Sequence, residues 1–287
     1  MIVELVRIQT DDGVRLDGVV SHAQEGSTPG VVVCLHGVGS NFYGSSMMNR
    51  LAIGLTDSQW DVLRVNTRGH DHCYVGAYRM GTRRFGAGYE IVSDCVHDLA
   101  AWIDWAEQAE YQKIVILGHS LGALKAVYRQ THVACERVTA LLAISPPRLS
   151  CRIFQSGSRA HEFKASLDAA EKLVESGNPD ALVDVTFPFP LLITAGSYVD
   201  KYGPAEKYDL VGFVPRLNLP THFIYGGSEL EQGGVAFEGL DQLLVDCVKD
   251  TESAQLMTLE VIAGADHLYT RHADDLLSSV KKMLMQW

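Results

Sequence analysis

The chain has 287 residues and a formal net charge of −11, and 47% of its residues are hydrophobic. A chain of this size can bury a large core and is compatible with one α/β domain that carries an insertion. The acidic balance opposes binding to nucleic acid or to an anionic membrane surface, so neither is predicted as a partner. No segment is long and apolar enough to predict a membrane span.

The N-terminal residues and the cysteines predict a cytoplasmic protein. Residues 1–5 carry an early acid and lack a basic start followed by an apolar run, so no secretory signal is expected. The cysteines lack Cys-x-x-Cys pairing, and several lie within apolar patterns. This pattern favours reduced, mostly buried thiols. The six cysteines are Cys34, Cys73, Cys95, Cys135, Cys151 and Cys247.

The pattern of hydrophobic residues predicts strands that alternate with helices. Residues 3–7 and 14–20 alternate in polarity around Asp11-Asp12-Gly13, which predicts an opening antiparallel hairpin. Later apolar runs are short, β-branched and unalternated, as is typical of strands covered on both faces. They lie at 31–35, 61–65, 113–117, 138–144, 221–225 and 256–262.

Helical patterns lie between these strands, at 46–56, 90–109, 121–131, 236–249 and 272–285. In the second of them, Ile91, Cys95, Leu99 and Ile103 are predicted to share one face. Strand alternating with helix predicts an α/β fold with a mostly parallel central sheet flanked by helices. In such a sheet, ligands bind beyond the carboxyl ends of the strands.

Residues 146–216 depart from this alternation and are predicted to form a cap or lid insertion after the strand ending near Ser145. The core is then formed by 1–145 and 217–287. The insertion is rich in proline, holds a predicted helix at 159–176, and concentrates aromatic residues. Some of these aromatic residues are expected to line the site, and the alternative is that they only pack the insertion onto the core. They are Phe154, Phe163, Phe187, Phe189, Tyr198, Tyr202, Tyr208 and Phe213.

Ser120 is the first candidate catalytic residue, in Gly118-His119-Ser120-Leu121-Gly122. This stretch lies between an apolar run and a helical pattern, and a sharp strand-to-helix turn tolerates only small residues two positions before and after the serine. Such a turn exposes the hydroxyl to a base. The pattern therefore predicts a serine nucleophile.

A serine nucleophile needs a base and an orienting carboxylate. His267 lies in a loop after the last predicted strand, at the sheet edge expected for Ser120, and is the predicted base. Glu229 lies just past the preceding strand and is the first choice of acid. Asp200, Asp241 and Asp266 are the alternatives, although Asp266 adjoins His267 in the chain and is badly aimed at its ring.

An oxyanion hole needs two backbone N–H groups. Leu121 is predicted to supply one, and Val38 in His36-Gly37-Val38-Gly39 the other. A glycine-rich loop can instead bind phosphate, but this one lacks the lysine and the following Ser/Thr of a phosphate loop.

Two further features are predicted to be structural. His70-Asp71-His72-Cys73 and His97 offer metal-ligand atoms, but no second cluster completes a site, so neither a metal nor a cofactor is predicted. Three tryptophans are expected to pack in the core or between helices, at Trp60, Trp102 and Trp105.

These residues together resemble the α/β-hydrolase superfamily, in the serine-hydrolase branch that includes S33-type serine aminopeptidases, lipases and esterases. The resemblance covers nearly the whole chain and follows the family's order of nucleophile, acid and histidine. It implies that Ser120 is the nucleophile, His267 the base and Glu229 the acid, although the family more often has aspartate there. It rests on His36-Gly37, Asn66-Thr67-Arg68-Gly69-His70, the Ser120 turn, Gly226-Gly227-Ser228-Glu229 and Asp266-His267.

The function expected from these observations is hydrolysis of a carboxylic ester of a small or medium organic molecule through an acyl-enzyme. Amide, lactone and thioester substrates use the same chemistry and stay open. A lyase or a non-hydrolytic binding protein on the same fold is the alternative class, because a fold does not define a function. A small-molecule ester is the expected partner, and a homodimer is left open.

Overall fold

The computed structural model describes residues 3–23 and 28–287. Met1 and Ile2, which belong to the N-terminal residues in which no secretory signal is expected, lie outside the described residues. In chain order the strands are β1 (Val3–Gln9), β2 (Arg15–Ser21), β3 (Val31–Leu35), β4 (Asp61–Val65), β5 (Tyr74–Tyr78), β6 (Gly81–Phe85), β7 (Ile114–His119), β8 (Val138–Ile144), β9 (Leu182–Val185), β10 (Leu191–Thr194), β11 (Thr221–Gly226) and β12 (Met257–Ile262). The helices are α1 (Ser46–Thr56), α2 (Cys95–Gln108), α3 (Leu121–His132), α4 (Cys151–Ser156), α5 (Ala160–Glu175), α6 (Ala195–Tyr202), α7 (Gly227–Gln232), α8 (Leu240–Val248) and α9 (Ala273–Leu284).

Eight strands form one central sheet, in the order β1-β2-β4-β3-β7-β8-β11-β12. The pairs β1–β2 and β2–β4 are antiparallel, and the remaining pairs are parallel. The predicted opening hairpin and mostly parallel sheet are therefore confirmed. Because the parallel strands end at one edge of the sheet, the loops that follow β3, β4, β7, β8, β11 and β12 lie close together.

Side chains alternate along the inner strands and divide the core into two layers. On β3, Val31, Val33 and Leu35 face the layer that contains α2, α3 and α8. Val32 and Cys34 face the layer that contains α1 and α9. All five side chains are buried, which is why this strand shows no polar alternation in the sequence.

The predicted helix 90–109 begins later than expected. Ile91 is extended, a 3₁₀ turn covers Val92–Asp94, and α2 begins at Cys95. Ile91 therefore does not share a helical face with the other residues predicted to do so. Glu90 lies outside the helix, and its buried carboxylate pairs with two lysines from distant parts of the chain.

Three other elements differ from the predictions. The hairpin β5–β6 has no predicted counterpart, since most of its side chains are partly or fully exposed and carry no continuous apolar signal. The helix predicted at 236–249 is shorter, because α8 begins only after Gly239, whose φ is +64°. The short helix α7 occupies residues that the sequence presents as a turn.

Residues 146–216 contain α4, α5, α6 and a small antiparallel sheet of β9 and β10. The predicted helix at 159–176 is α5. Phe154, Phe163 and Phe187 pack with ring centroids 5.0 to 5.4 Å apart, and they join the core layer beside α2 and α3. The apolar interior of this segment is thus continuous with that of the sheet.

The tryptophans and cysteines fill structural positions. Trp60 and Trp102 are buried and Trp105 packs half-buried against the core, as predicted. All six cysteines are free thiols, but only three are buried, fewer than expected. In the described ranges, no helix has both the length and the hydropathy needed to cross a membrane.

Candidate active site

Ser120 lies on a sharp turn between β7 and α3. Its φ of 56° and ψ of −125° are values that non-glycine residues rarely adopt. A Cβ at position 118 would overlap the backbone of Ala123, and one at position 122 would overlap the carbonyl oxygen of His36. Glycine is therefore required on both sides of Ser120, because strand and helix backbones meet too closely for a side chain.

The three residues predicted to act together form one hydrogen-bonded chain. His267 lies in the loop between β12 and α9, with its Nε2 3.0 Å from Ser120 Oγ. Its Nδ1 is hydrogen-bonded to Oε1 of Glu229. A carboxylate can only accept, so Nδ1 carries the proton and Nε2 is free to accept one from the serine hydroxyl.

Glu229 lies in the first turn of α7, directly after β11, and its side chain is fully buried. Its second oxygen, Oε2, accepts hydrogen bonds from Ser145 Oγ at 2.6 Å and from the Gly226 amide at 3.2 Å. The Tyr269 hydroxyl lies 3.0 Å from Ser145 Oγ. These donors hold the carboxylate in one orientation, with Oε1 toward the His267 ring.

Sequence reasoning missed Ser145 and Tyr269 as members of the site. The position of Ser145 at the end of β8, next to β7 in the sheet, was the available signal. Its φ of 49° is as unusual for a non-glycine residue as that of Ser120, but this becomes visible only in the structure.

The alternative acids lie in other environments. Asp266 accepts hydrogen bonds from the amides of Leu268 and Thr270, and the Thr270 amide lowers the pKa of its carboxyl. Asp200 accepts from Lys207 and Tyr208. Asp241 lies in the first turn of α8. Among the carboxylates in the described part of the chain, Glu229 alone is hydrogen-bonded to the ring of His267.

Two amide groups beside Ser120 lack an acceptor in the part of the chain that the structure describes. Leu121 is the first residue of α3, and Val38 lies in the loop after β3. Within residues 3–23 and 28–287, neither of their N–H groups makes a hydrogen bond to a protein acceptor. Gly37 brings the loop close, since a Cβ there would lie 3.1 Å from Ser120 Cβ. Both amides are therefore available to bind an oxygen atom near the serine.

His119 is a buried neighbour of the site that sequence reasoning did not assign. Its Nε2 donates to the carbonyl oxygen of His267 at 2.8 Å, and the two rings lie 4.8 Å apart. Burial, together with the nearby His267, lowers the pKa of His119 to about 3. The ring is thus neutral near pH 7, and it ties the Ser120 turn to the His267 loop.

Two cavities meet at Ser120, one of about 460 Å³ and one of about 380 Å³. Val38, Ser120, Phe189 and His267 line both of them. The larger cavity adds mainly apolar side chains, including Leu149, Phe154, Ala236 and Phe237. The smaller adds a more polar wall that includes Ser40, Ser45, Ser46 and His119.

Only some of the aromatic residues of 146–216 line these cavities. Phe154, Phe189 and Tyr202 do so, and the exposed Phe189 lies between the two cavities. The other five are buried in the interior, in agreement with the packing alternative. A larger hollow of about 890 Å³ lies between residues 83–94 and 171–207, away from Ser120.

The potential metal ligands noted in the sequence do not converge. His70 is hydrogen-bonded to Asp71 and stacks on Tyr74, whereas His97 is bonded to Asp11. Within the described residues, the one group with metal-binding spacing is Asp11, Asp12 and His97, and Asp12 there is engaged by the guanidinium of Arg68.

The sequence model of the alpha/beta hydrolase family matches residues 32–280, and the chain belongs to this family. Similar solved structures include Est1E from Butyrivibrio proteoclasticus with bound ferulic acid, at 15% identity, a TM-score of 0.68 and 98% coverage of both chains. The Pyrococcus furiosus esterase Pf2001 has 20% identity and a TM-score of 0.65, over 100% of this chain and 91% of that one.

An esterase domain of a Rhodothermus marinus protein is similar over 100% of this chain and 98% of that one, with 16% identity and a TM-score of 0.60. No curated protein matches the sequence. At these identities the structural similarities show the fold alone, and they confirm the predicted fold class. The match to the family model confirms the predicted superfamily.

The depressed pKa of His119 predicts acid sensitivity of folding. The unfolded chain binds a proton at this ring below its ordinary pKa of 6.5, whereas the folded chain does not until about 3. The unfolded state therefore binds more protons in this window, and the free energy of unfolding falls as the pH falls, by at most about 1.4 kcal/mol per pH unit for this ring.

His119→Gln keeps a donor where Nε2 lies but removes the titration. We expect similar stability at pH 7 and a shallower loss between about pH 6 and pH 4.5, measured by denaturant unfolding at several pH values. If the free energy of unfolding of this variant falls with pH as steeply as that of the parent chain, the lowered pKa of His119 would be contradicted.

Proposed function

We propose that the chain is a serine hydrolase that cleaves carboxylic esters of small or medium organic molecules through an acyl-enzyme. The observation that carries this proposal is the hydrogen-bonded chain from Ser120 through His267 to Glu229, at the carboxyl edge of the sheet. A binding protein on this fold has no need of such a chain. Membership of the alpha/beta hydrolase family and the esterases among similar structures support it.

In the proposed reaction, Ser120 Oγ attacks the ester carbonyl while His267 Nε2 accepts the hydroxyl proton. The C–O bond to the alcohol then breaks, and the alcohol leaves with that proton. Water, activated by the same nitrogen, cleaves the acyl-enzyme and restores Ser120. Glu229 stabilises the imidazolium that forms in both halves of the cycle.

The oxyanion of each tetrahedral intermediate is proposed to bind the amides of Val38 and Leu121. Among the described residues, neither N–H has a protein acceptor, which supports this assignment. Donors that are already oriented before the reaction need no rearrangement when charge develops, so they stabilise the transition state more than the substrate.

We propose that residues 146–216 form a cap that shapes the substrate site, on a core of 1–145 and 217–287. Leu149, Phe154, Phe189 and Tyr202 from this segment line the larger cavity. Its largely apolar wall favours an apolar or ring-bearing group, and the smaller, more polar cavity favours a more polar group on the other side of the ester. The ferulic acid bound to Est1E is a ring-bearing acid of this kind.

Amides, lactones and thioesters remain alternative substrates, because each passes through the same tetrahedral intermediate. A lyase or a non-hydrolytic binding protein is the alternative class. A fluorophosphonate probe separates the classes, since a serine hydrolase is labelled covalently at Ser120 whereas a binding protein is not. The purified chain should then be assayed against matched esters, amides, lactones and thioesters.

Ser120→Ala should lower ester turnover by about 10³-fold or more and abolish fluorophosphonate labelling, because the nucleophile and its base act as a unit. Turnover is measured with the purified full chain, and circular dichroism checks that the variant is folded. Near-native turnover by this variant would exclude the mechanism.

Glu229→Gln should lower turnover by about 10² to 10⁴-fold, because the neutral amide cannot stabilise the imidazolium or enforce the Nδ1–H tautomer. Asp266→Asn is the matched control, since it changes the neighbouring carboxylate, which bonds to backbone amides instead. Comparable losses in the two variants would refute the choice of acid.

We propose that the larger cavity holds the acyl group of the ester, and Ala236→Phe should narrow this cavity. We expect at least about a tenfold lower kcat/KM for methyl phenylacetate, and less than about a threefold change for methyl acetate. The matched variant Ser46→Leu fills the smaller cavity instead. It should leave the ratio of kcat/KM for methyl phenylacetate to that for methyl acetate unchanged. An equal loss for both esters in Ala236→Phe would place the acyl group elsewhere.

A further inference from the structure

A buried ionic cluster lies behind the Ser120 turn, and the proposed mechanism does not use it. Lys125 on α3 pairs with Oε1 of Glu90, and Lys201 on α6 lies 3.4 Å from Oε2 of the same carboxylate. All three side chains are at most 2% exposed. A buried ion pair gives little net stability compared with apolar residues of the same volume, so its oriented hydrogen bonds need another explanation.

Lys125 connects this cluster to the loop that carries Val38. Its Nζ donates to Thr67 Oγ1 at 3.1 Å, and Thr67 follows β4. The Thr67 amide then donates to Nε2 of His36 at 3.1 Å, and the Thr67 hydroxyl lies 3.3 Å from the same nitrogen. A continuous chain of polar contacts thus runs from Glu90 to His36.

The proton on His36 is fixed by these partners. A backbone N–H can only donate, so Nε2 is the acceptor and Nδ1 carries the proton. Nδ1 lies 2.8 Å from the carbonyl oxygen of Gly37 and donates to it. Burial, followed by the charge of Lys125, lowers the pKa of His36 to about 4, so the ring keeps this neutral form near pH 7.

The Gly37 carbonyl and the Val38 N–H belong to one planar trans peptide group, in which they point in opposite directions. A hydrogen bond that fixes the carbonyl therefore also fixes the direction of the N–H. Gly69 leaves room for the Glu90 carboxylate, where this series of polar contacts begins. A Cβ at position 69 would overlap that carboxylate.

We propose that Glu90 and Lys125 are positioning residues that act through Thr67 and His36 to aim the Val38 N–H at the oxyanion. This inference rests on the proposed function, in which Val38 supplies one of the two oxyanion donors. Among the described residues, Lys201 pairs with the far oxygen of Glu90 alone, and it lies outside the series of contacts from Lys125 to Val38.

Lys125→Met and Lys201→Met form a matched pair for the test. Each removes one lysine and leaves Glu90 with one buried cationic partner, but only Lys125 contacts Thr67. We expect Lys125→Met to lower kcat for ester hydrolysis by about 10 to 100-fold with KM changed by less than about threefold, since a misdirected oxyanion donor affects the transition state alone. Lys201→Met should keep kcat within about threefold of the parent chain.

His36→Asn and His36→Leu provide an independent pair. Asparagine can place its Nδ2 donor near the position of Nδ1, whereas leucine has no donor. We expect His36→Leu to lose kcat to the same extent as Lys125→Met, and His36→Asn to recover most of it. Imidazole ¹⁵N spectra of the parent chain should show His36 protonated at Nδ1 and unprotonated at Nε2.

The outcomes distinguish this proposal from the proposed function. Equal kcat losses in the two lysine variants, or a parent-like kcat in His36→Leu, would overturn the positioning roles while leaving the hydrolase intact. If Lys125→Met does not fold, a parent-like kcat in His36→Leu still overturns the proposal, because the proposed roles of Glu90 and Lys125 act through His36. A parent chain that neither hydrolyses esters nor labels at Ser120 would overturn the proposed function, and the positioning roles with it.

Discussion

The site depends on the backbone of Ser120, which is held at a positive φ between a strand and a helix. A conformation of this kind costs about 1 to 3 kcal/mol for a non-glycine residue, so surrounding contacts must enforce it. The Ser120 amide donates to the carbonyl of Ile144, and the amides of Ala123 and Leu124 donate back to the Ser120 carbonyl. The core packing of β7, β8 and α3 thereby fixes the hydroxyl and the Leu121 amide in one place.

The histidines around this turn differ in burial, and burial separates their chemistry. His36 and His119 are enclosed, and their lowered pKa values keep them neutral, as donors to the backbone carbonyls of Gly37 and His267. His267 is partly exposed and has a fully buried carboxylate as its partner. One residue type therefore supplies two rigid connections between loops and one ring placed to exchange protons.

Buried carboxylates organise both sides of the site. Glu229 is surrounded by donors from three elements, which align it with His267. Glu90 pairs with lysines from α3 and α6, so it connects the Ser120 helix with residues 146–216. A charge removed from water needs several oriented partners, and for that reason each carboxylate joins segments that are distant in the chain.

The sequence by itself determined the alternation of buried strands and helices, the glycines beside Ser120, and the places of Ser120 and His267 directly after strands of the sheet. These features depend on local periodicity and on backbone conformations that only glycine permits. Tertiary structure alone decided which carboxylate reaches the His267 ring, that Ser145 orients it, and that Glu90 pairs with Lys125 and Lys201. Such contacts join residues separated by 35 to 111 positions. They follow from how strands and loops meet in space, which local sequence patterns do not encode.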